Sequence, residues 1–186
     1  MSTFSQLQRL EKTIIRCNNC SRLREVTPIP YPHIYYGDPE KLDIFILMRN
    51  SGLEHSYEQI SLKEFFETYK KNWLVCKVGK YLENILGKDF ILNRMFFANI
   101  CKCSSPNNSK LESEEIKNCK KFFDLQLEII KPKMLLSFGS EANSFIKEYK
   151  STIPYYTFYH PSAFSYNYDE EKYNKQMNQL RKLINE

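Results

Sequence analysis

Apolar residues return every three or four positions at Leu7, Leu10, Ile14 and Ile15, which predicts a helix over 4–16 running into Cys17. The stretch TPIPYPHIYYGDPEK that follows the next turn of chain holds four prolines and a Gly-Asp-Pro turn, so it reads as extended and irregular. LDIFILM, residues 42–48, is a short apolar run of strand length, the pattern of a strand buried on both faces, and it ends at Arg49 and Asn50. Helical spacing returns over 61–71 and over 77–87, where Gly87 closes the element. RMFFANI is the next strand. A long connection carrying Cys103 leads to a helix over 112–131, which Pro132 prevents from continuing. KMLLSFG then forms a third buried strand, Gly139 opens a helix over 140–150, YYTFYH is a fourth strand ending at His160, and a helix over 169–184 closes the order.

Strands alternating with helices predict an α/β fold, a three-layer sandwich with a central, mostly parallel four-stranded sheet flanked by helices. Ligands of such sheets bind beyond the carboxyl ends of the strands, where Asn50, Asn99, Gly139 and His160 then collect. At 186 residues without internal repeats or low-complexity tracts, the chain reads as a single domain over 1–186.

Composition adds less. MSTFSQLQRLEK has no apolar run behind a positive flank, and no stretch approaches the length of a membrane span, so the expectation is a cytoplasmic protein that crosses no membrane. A net charge of +5 is compatible with a polyanionic partner without requiring one. The six cysteines matter more, because thiols stay reduced in the cytoplasm and there serve as metal ligands, catalytic groups or core filler. Cys17 and Cys20, at i and i+3, can meet one metal or cluster, and a second pair such as Cys103 and Cys119 completes four-coordination. CNNC alone is equally a redox dithiol or an incidental pair, whereas Cys76 and Cys101 sit in apolar surroundings that suit buried free thiols.

Taken together, CNNCSRL, GDPEKLDIFIL, VGKYLENIL, ANICKCSSPNN followed by NCKKF, EIIKPKMLLSFGSEA and YHPSAF resemble the iron–sulfur uracil-DNA glycosylases called family 4, over nearly the whole chain and in the same order. The resemblance implies a 4Fe-4S cluster on Cys17, Cys20, Cys103 and Cys119, with zinc as the other metal such a set takes. It further implies that the protein, expected to be a monomer, binds DNA, flips a nucleotide out and hydrolyses its N-glycosidic bond. HPSAF matches the family's second motif, so His160 is implied to donate a hydrogen bond to the departing base. Ser162 and Phe164 then meet DNA, Phe164 as an apolar wedge. As bare residues these are equally a structural histidine before a turn and a loop anchor. MRNSG stands where the family has a motif resembling GEAPG, and related families carry an asparagine there that holds the attacking water. Asn50 takes that role by resemblance, although strand-end asparagines are also ordinary turn formers. Glu54 stands in for a downstream acidic residue. Asn99 in ANICKC matches the asparagine that reads the base edge. Gly139 and Ser140 open a helix whose free N–H groups suit a phosphate, and Lys102 is placed to neutralise another.

One departure bears on substrate. WLVCKVG replaces the family's PFVGKAG-like segment, so Leu74 stands in place of the phenylalanine that stacks on uracil. Extra residues, EHSYEQISLKEF and neighbours, precede it. Trp73, Tyr57, Phe65 or Phe66 are left to supply stacking. The rebuilt wall raises two alternatives to a uracil glycosylase. One is an anti-phage defence enzyme acting on a bulky hypermodified cytosine, and the other is a non-catalytic DNA-binding relative.

Overall fold

The computed structural model describes residues 1–27, 29–50, 77–166 and 169–185. The unbroken apolar runs become strands because each has to bury both faces. After a two-residue β1 (Tyr35–Tyr36) come β2 (Ile44–Met48), β3 (Met95–Asn99), β4 (Met134–Phe138) and β5 (Tyr155–Phe158). The last four are parallel, in the order β3-β2-β4-β5, and β1 pairs antiparallel with the outer edge of β3. The expected four-stranded parallel sheet is present, with β1 as an added edge.

Eight α-helices are described. They are α1 (Thr3–Ile15), α2 (Ser21–Val26), α3 (Lys77–Leu86), α4 (Lys88–Arg94), α5 (Ser113–Ile130), α6 (Ser140–Tyr149), α7 (Pro161–Tyr166) and α8 (Glu170–Asn185). Successive strand side chains point to opposite faces, which divides the core in two. Phe45, Leu47, Phe96, Ala98 and Leu135 pack against α1, α5 and α6 through Leu7, Phe123, Leu127 and Ile146. Ile44, Ile46, Met48, Phe97, Leu136 and Phe138 pack against α3, α4 and α8 through Val78, Leu82, Ile91 and Leu180. Each such side chain contributes about 1.5–3 kcal/mol relative to exposure. The three-layer α/β sandwich follows.

Local signals set the helix ends. Glu112 and Glu115 form a reciprocal capping box at the start of α5, and Lys131 adopts φ 48 at its end, before Pro132. Gly87, at φ 81, closes α3 and immediately starts α4. The helix expected over 61–71 lies outside the described residues.

Candidate functional site

The strand order sets the carboxyl ends of β3, β2, β4 and β5 in a row, so Asn99, Asn50, Gly139 and His160 emerge along one edge of the sheet. Gly139 N–H donates to the Phe158 carbonyl at 3.0 Å, carrying the β4–β5 ladder one step past the strands. Its φ of +95° is a conformation L side chains avoid, and a Cβ there would stand 3.4 Å from the Cβ of His160. The turn from β4 to α6 therefore passes close beneath the histidine.

His160 is fixed by the short helix that follows it. The Ser162 N–H donates to its Nδ1 at 3.2 Å, and the Ala163 N–H donates to its carbonyl at 2.8 Å. With Nδ1 accepting, the ring proton of the neutral imidazole lies on Nε2. Burial holds the His160 pKa below its ordinary value, and the positive charges of Lys77 and Arg49 push it the same way. The site thus holds a neutral imidazole whose remaining N–H has no acceptor among the described residues.

Asn50 is clamped at both ends of its carboxamide. Arg49 Nε donates to its Oδ1 at 2.7 Å, its Nδ2 donates to Ser105 Oγ at 3.0 Å, and Ser105 Oγ donates to the Ser109 carbonyl at 2.7 Å. Arg49 is itself held by Glu141 in the first turn of α6, at 3.2 Å, and by the side-chain and main-chain oxygens of Asn108. Arg49 is the residue that pattern reading missed. An arginine closing a strand reads as solvated, and only the fold brings Glu141 and Asn108 to it.

Asn99 is 2% exposed, and its Oδ1 is buried without a hydrogen-bond partner among the described residues. Such an acceptor is rare in a folded chain and is accounted for when a ligand supplies the donor. Lys102 requires a correction. It was expected at a phosphate, but it is 1% exposed, and its Nζ donates to the Asn99 carbonyl at 2.6 Å and to Gln126 Oε1 at 2.7 Å. Burial lowers its pKa to about 8, partly offset by Cys119 and Cys101. Apolar neighbours in the ANICKC turn, Ile100 and Cys101, carry the stem inward with them. The N-terminus of α6 has no side-chain cap, as a phosphate site at Ser140 requires, yet the Gly139 N–H is spent on the sheet and Glu141 brings a negative charge there.

The cysteines gather at the other end of the same connection. Cys20, Cys101, Cys103 and Cys119 pack in one apolar cluster with Leu23, Leu111 and Ile116, and Cys17 packs beside Phe122 of α5. Arg22, in α2 directly after Cys20, docks this segment. It donates from Nε and from a terminal nitrogen to the two Glu115 oxygens, at 2.8 and 2.6 Å, and to Ser109 Oγ at 2.9 Å. Asn118 Nδ2 donates to Cys20 Sγ at 3.6 Å. Interaction between the Cys101 and Cys119 thiols raises the pKa of Cys101 and lowers that of Cys119 to about 6. Burial, together with neighbouring Cys119, pushes Cys103 up to about 12. Among the described residues no three His, Cys, Asp or Glu side chains converge as one metal ion requires. Of the four expected ligands, Cys20, Cys103 and Cys119 share one apolar cluster and Cys17 lies beside Phe122; thiolates are the donors a cubane takes, one on each iron.

Glu54, Trp73, Leu74, Cys76 and the inserted segment lie outside the described residues, and the side chain of Phe164 is likewise not described. The backbone at Phe164 belongs to α7, so HPSAF is a short helix and not an open loop.

The sheet therefore carries His160 just beyond its last strand, Asn50 two residues past the end of β2 and Asn99 at the end of β3, all on one edge. A family model described as the uracil DNA glycosylase superfamily matches residues 34–184, and the chain belongs to that superfamily. Within it, the chain is similar to the type-4 uracil-DNA glycosylase of Sulfurisphaera tokodaii, 34% identical over 74 residues, which are 39% of this chain and 34% of that protein. It is also similar to the type-4 uracil-DNA glycosylase of Saccharolobus solfataricus, 31% identical over 70 residues, 37% of this chain and 32% of the other. The matched stretch spans about a third of the length of either relative.

Proposed function

We propose that the protein is a DNA glycosylase that hydrolyses the N-glycosidic bond of a flipped uracil or modified pyrimidine in DNA and leaves an abasic site. The observation that carries this reading is His160, held neutral with no partner for its Nε2–H among the described residues. As the bond from base to sugar breaks, its electron pair leaves with the base, and that N–H stabilises the charge developing on a base oxygen without transferring its proton. Asn50 aims the water that attacks the sugar carbon. Its Oδ1 has a second lone pair beyond the one Arg49 uses, and the clamp from Arg49 and Ser105 fixes where that lone pair points. The water's proton passes to solvent. Asn99, whose buried Oδ1 has no partner among the described residues, reads the base edge, Glu54 acts as the acidic catalytic residue, and Trp73 and Leu74 bind the base.

Cys17, Cys20, Cys103 and Cys119 would hold a 4Fe-4S cluster, which when bound supplies a structural staple between the N-terminal segment and the loop behind Asn99. Ser162, Phe164 and Ser140 meet the DNA backbone or the gap left by the flipped base. The enzyme acts as a cytoplasmic monomer, and no helix among the described residues is long and apolar enough to cross a membrane.

The test is incubation of the purified protein with oligonucleotides bearing uracil, hypoxanthine, hydroxymethylcytosine or glucosylated hydroxymethylcytosine, followed by alkaline cleavage of abasic sites. Release of uracil supports the glycosylase in its repair form. Release of the substituted cytosines in preference identifies a defence enzyme acting on bulky bases. DNA binding with no release of any base overturns catalysis and leaves a DNA-binding relative.

A further inference from the structure

Lys102 is the most deeply buried cation among the described residues, and its two acceptors, the Asn99 carbonyl and the Gln126 carboxamide, are both neutral. Such burial of an ammonium is expensive, so the position carries something a methionine would not. Gln126 is 1% exposed, and its own Nε2 donates to the Pro32 carbonyl at 2.7 Å, which anchors the acceptor from the far side. The Lys102 carbonyl accepts from the Tyr31 N–H. One residue therefore ties the proline-rich connection, α5 and the cysteine loop to the last residue of β3.

That last residue is Asn99, whose main-chain hydrogen bonding would otherwise end with the strand. The next ladder bonds run from Ile100 N–H to the Met48 carbonyl and from Cys101 N–H to the Arg49 carbonyl, leaving the Asn99 carbonyl to Lys102. An ammonium closing on that carbonyl fixes the peptide plane from which the Asn99 side chain departs, and so the direction of its unpaired Oδ1. We propose that Lys102 is a positioning residue for base recognition, setting the Asn99 carboxamide through its main-chain carbonyl. The inference rests on the reading of Asn99 as the base-edge residue.

The experiment is a cycle of wild type, Lys102→Met, Asn99→Ala and the double variant. Single-turnover release of uracil is measured from a duplex with one deoxyuridine opposite guanine. In parallel, the Asn99 carboxamide resonance is followed in protein labelled with ¹⁵N-asparagine, identified by its loss in Asn99→Ala. Lys102→Met is expected to slow release by about tenfold to a hundredfold, the scale of a small misplacement, and to move or broaden the Asn99 resonance. In the Asn99→Ala background the same substitution should cost nothing further, because the side chain through which Lys102 acts is gone. Gln126→Leu removes one acceptor and keeps the lysine. It should shift the same resonance in the same direction to a smaller extent, and it serves in place of Lys102→Met if that variant does not fold. An equal loss in both backgrounds, or an unmoved Asn99 resonance, overturns the proposal. If wild type releases no uracil, the glycosylase reading fails on this base while the resonance still decides the role of Lys102.

Discussion

His160 can donate from Nε2 as a neutral ring only while the Ser162 N–H occupies Nδ1, so its protonation is the first quantity to measure. Its folded pKa lies below the ordinary histidine value of about 6.5, with burial the larger cause and Lys77 and Arg49 the lesser ones. The unfolded chain therefore binds more protons than the folded one between the two values. Stability rises with pH across that window and is lost as pH falls below about 6.5. A titration of the His160 ring by NMR should give a midpoint under that value. Lys77→Met should raise the midpoint without restoring it fully, since burial remains; an unchanged midpoint would remove Lys77 from the site's electrostatics. For the chemistry, His160→Ala and Asn50→Ala should each lower single-turnover release by roughly 10²-fold or more, as loss of a preorganised hydrogen-bonding group does. Retained DNA binding in both variants would place the loss in the chemical step. If Asn50 aims the water as proposed, Arg49→Ala should reproduce part of the Asn50→Ala loss and add little to it, because the guanidinium holds that carboxamide.

The elements themselves were legible where one physical demand dominated. IFILM, MFFAN and MLLSF had to be strands because nothing but a doubly covered sheet buries such runs, and α5 announced its end with Pro132. Where the deciding contact was distant, the sequence was silent. The six residues of α2 carry no period, and their stability comes from Arg22 reaching Glu115, 93 residues away. β1 exists because β3 offers an open edge. Lys102 read as a surface charge because lysines usually are, and only the packed loop shows it facing inward. Asn50, Asn99 and His160, by contrast, were placed by position alone, since a residue ending a parallel strand has one edge of the sheet to occupy. Two element-scale consequences can be measured. Arg22→Met leaves the nearly buried Glu115 carboxylate without its bidentate partner and should lower the melting temperature by roughly 4–8 °C, the shift for about 2 kcal/mol in a chain of this size. Gly139→Ala forces a side chain into φ +95° and against His160, so it should slow base release more than it lowers the melting temperature. A wild-type rate in Gly139→Ala would show that the turn is free to move away.

At the scale of the whole molecule, the two core layers hold the sheet while the cysteine pocket fastens the first 27 residues to it. Serine at Cys17, Cys20, Cys103 or Cys119 should each cost the anaerobically purified protein its iron and brown colour, whereas Cys101→Ser should keep both; stoichiometric zinc without iron in wild type would defeat the cluster assignment. The contact between Arg22 and Glu115 also has a clock in it. Its partners are 93 residues apart, and a ribosome adding about 5–20 residues per second takes roughly 5–20 s to cover that interval. For that time the newborn N-terminal segment has neither the helix it docks on nor the sulfurs of Cys103 and Cys119, and Cys17 and Cys20 stand exposed as a vicinal dithiol. An oxidant met in that interval would find the pair before Glu115 and Cys119 exist to cover it.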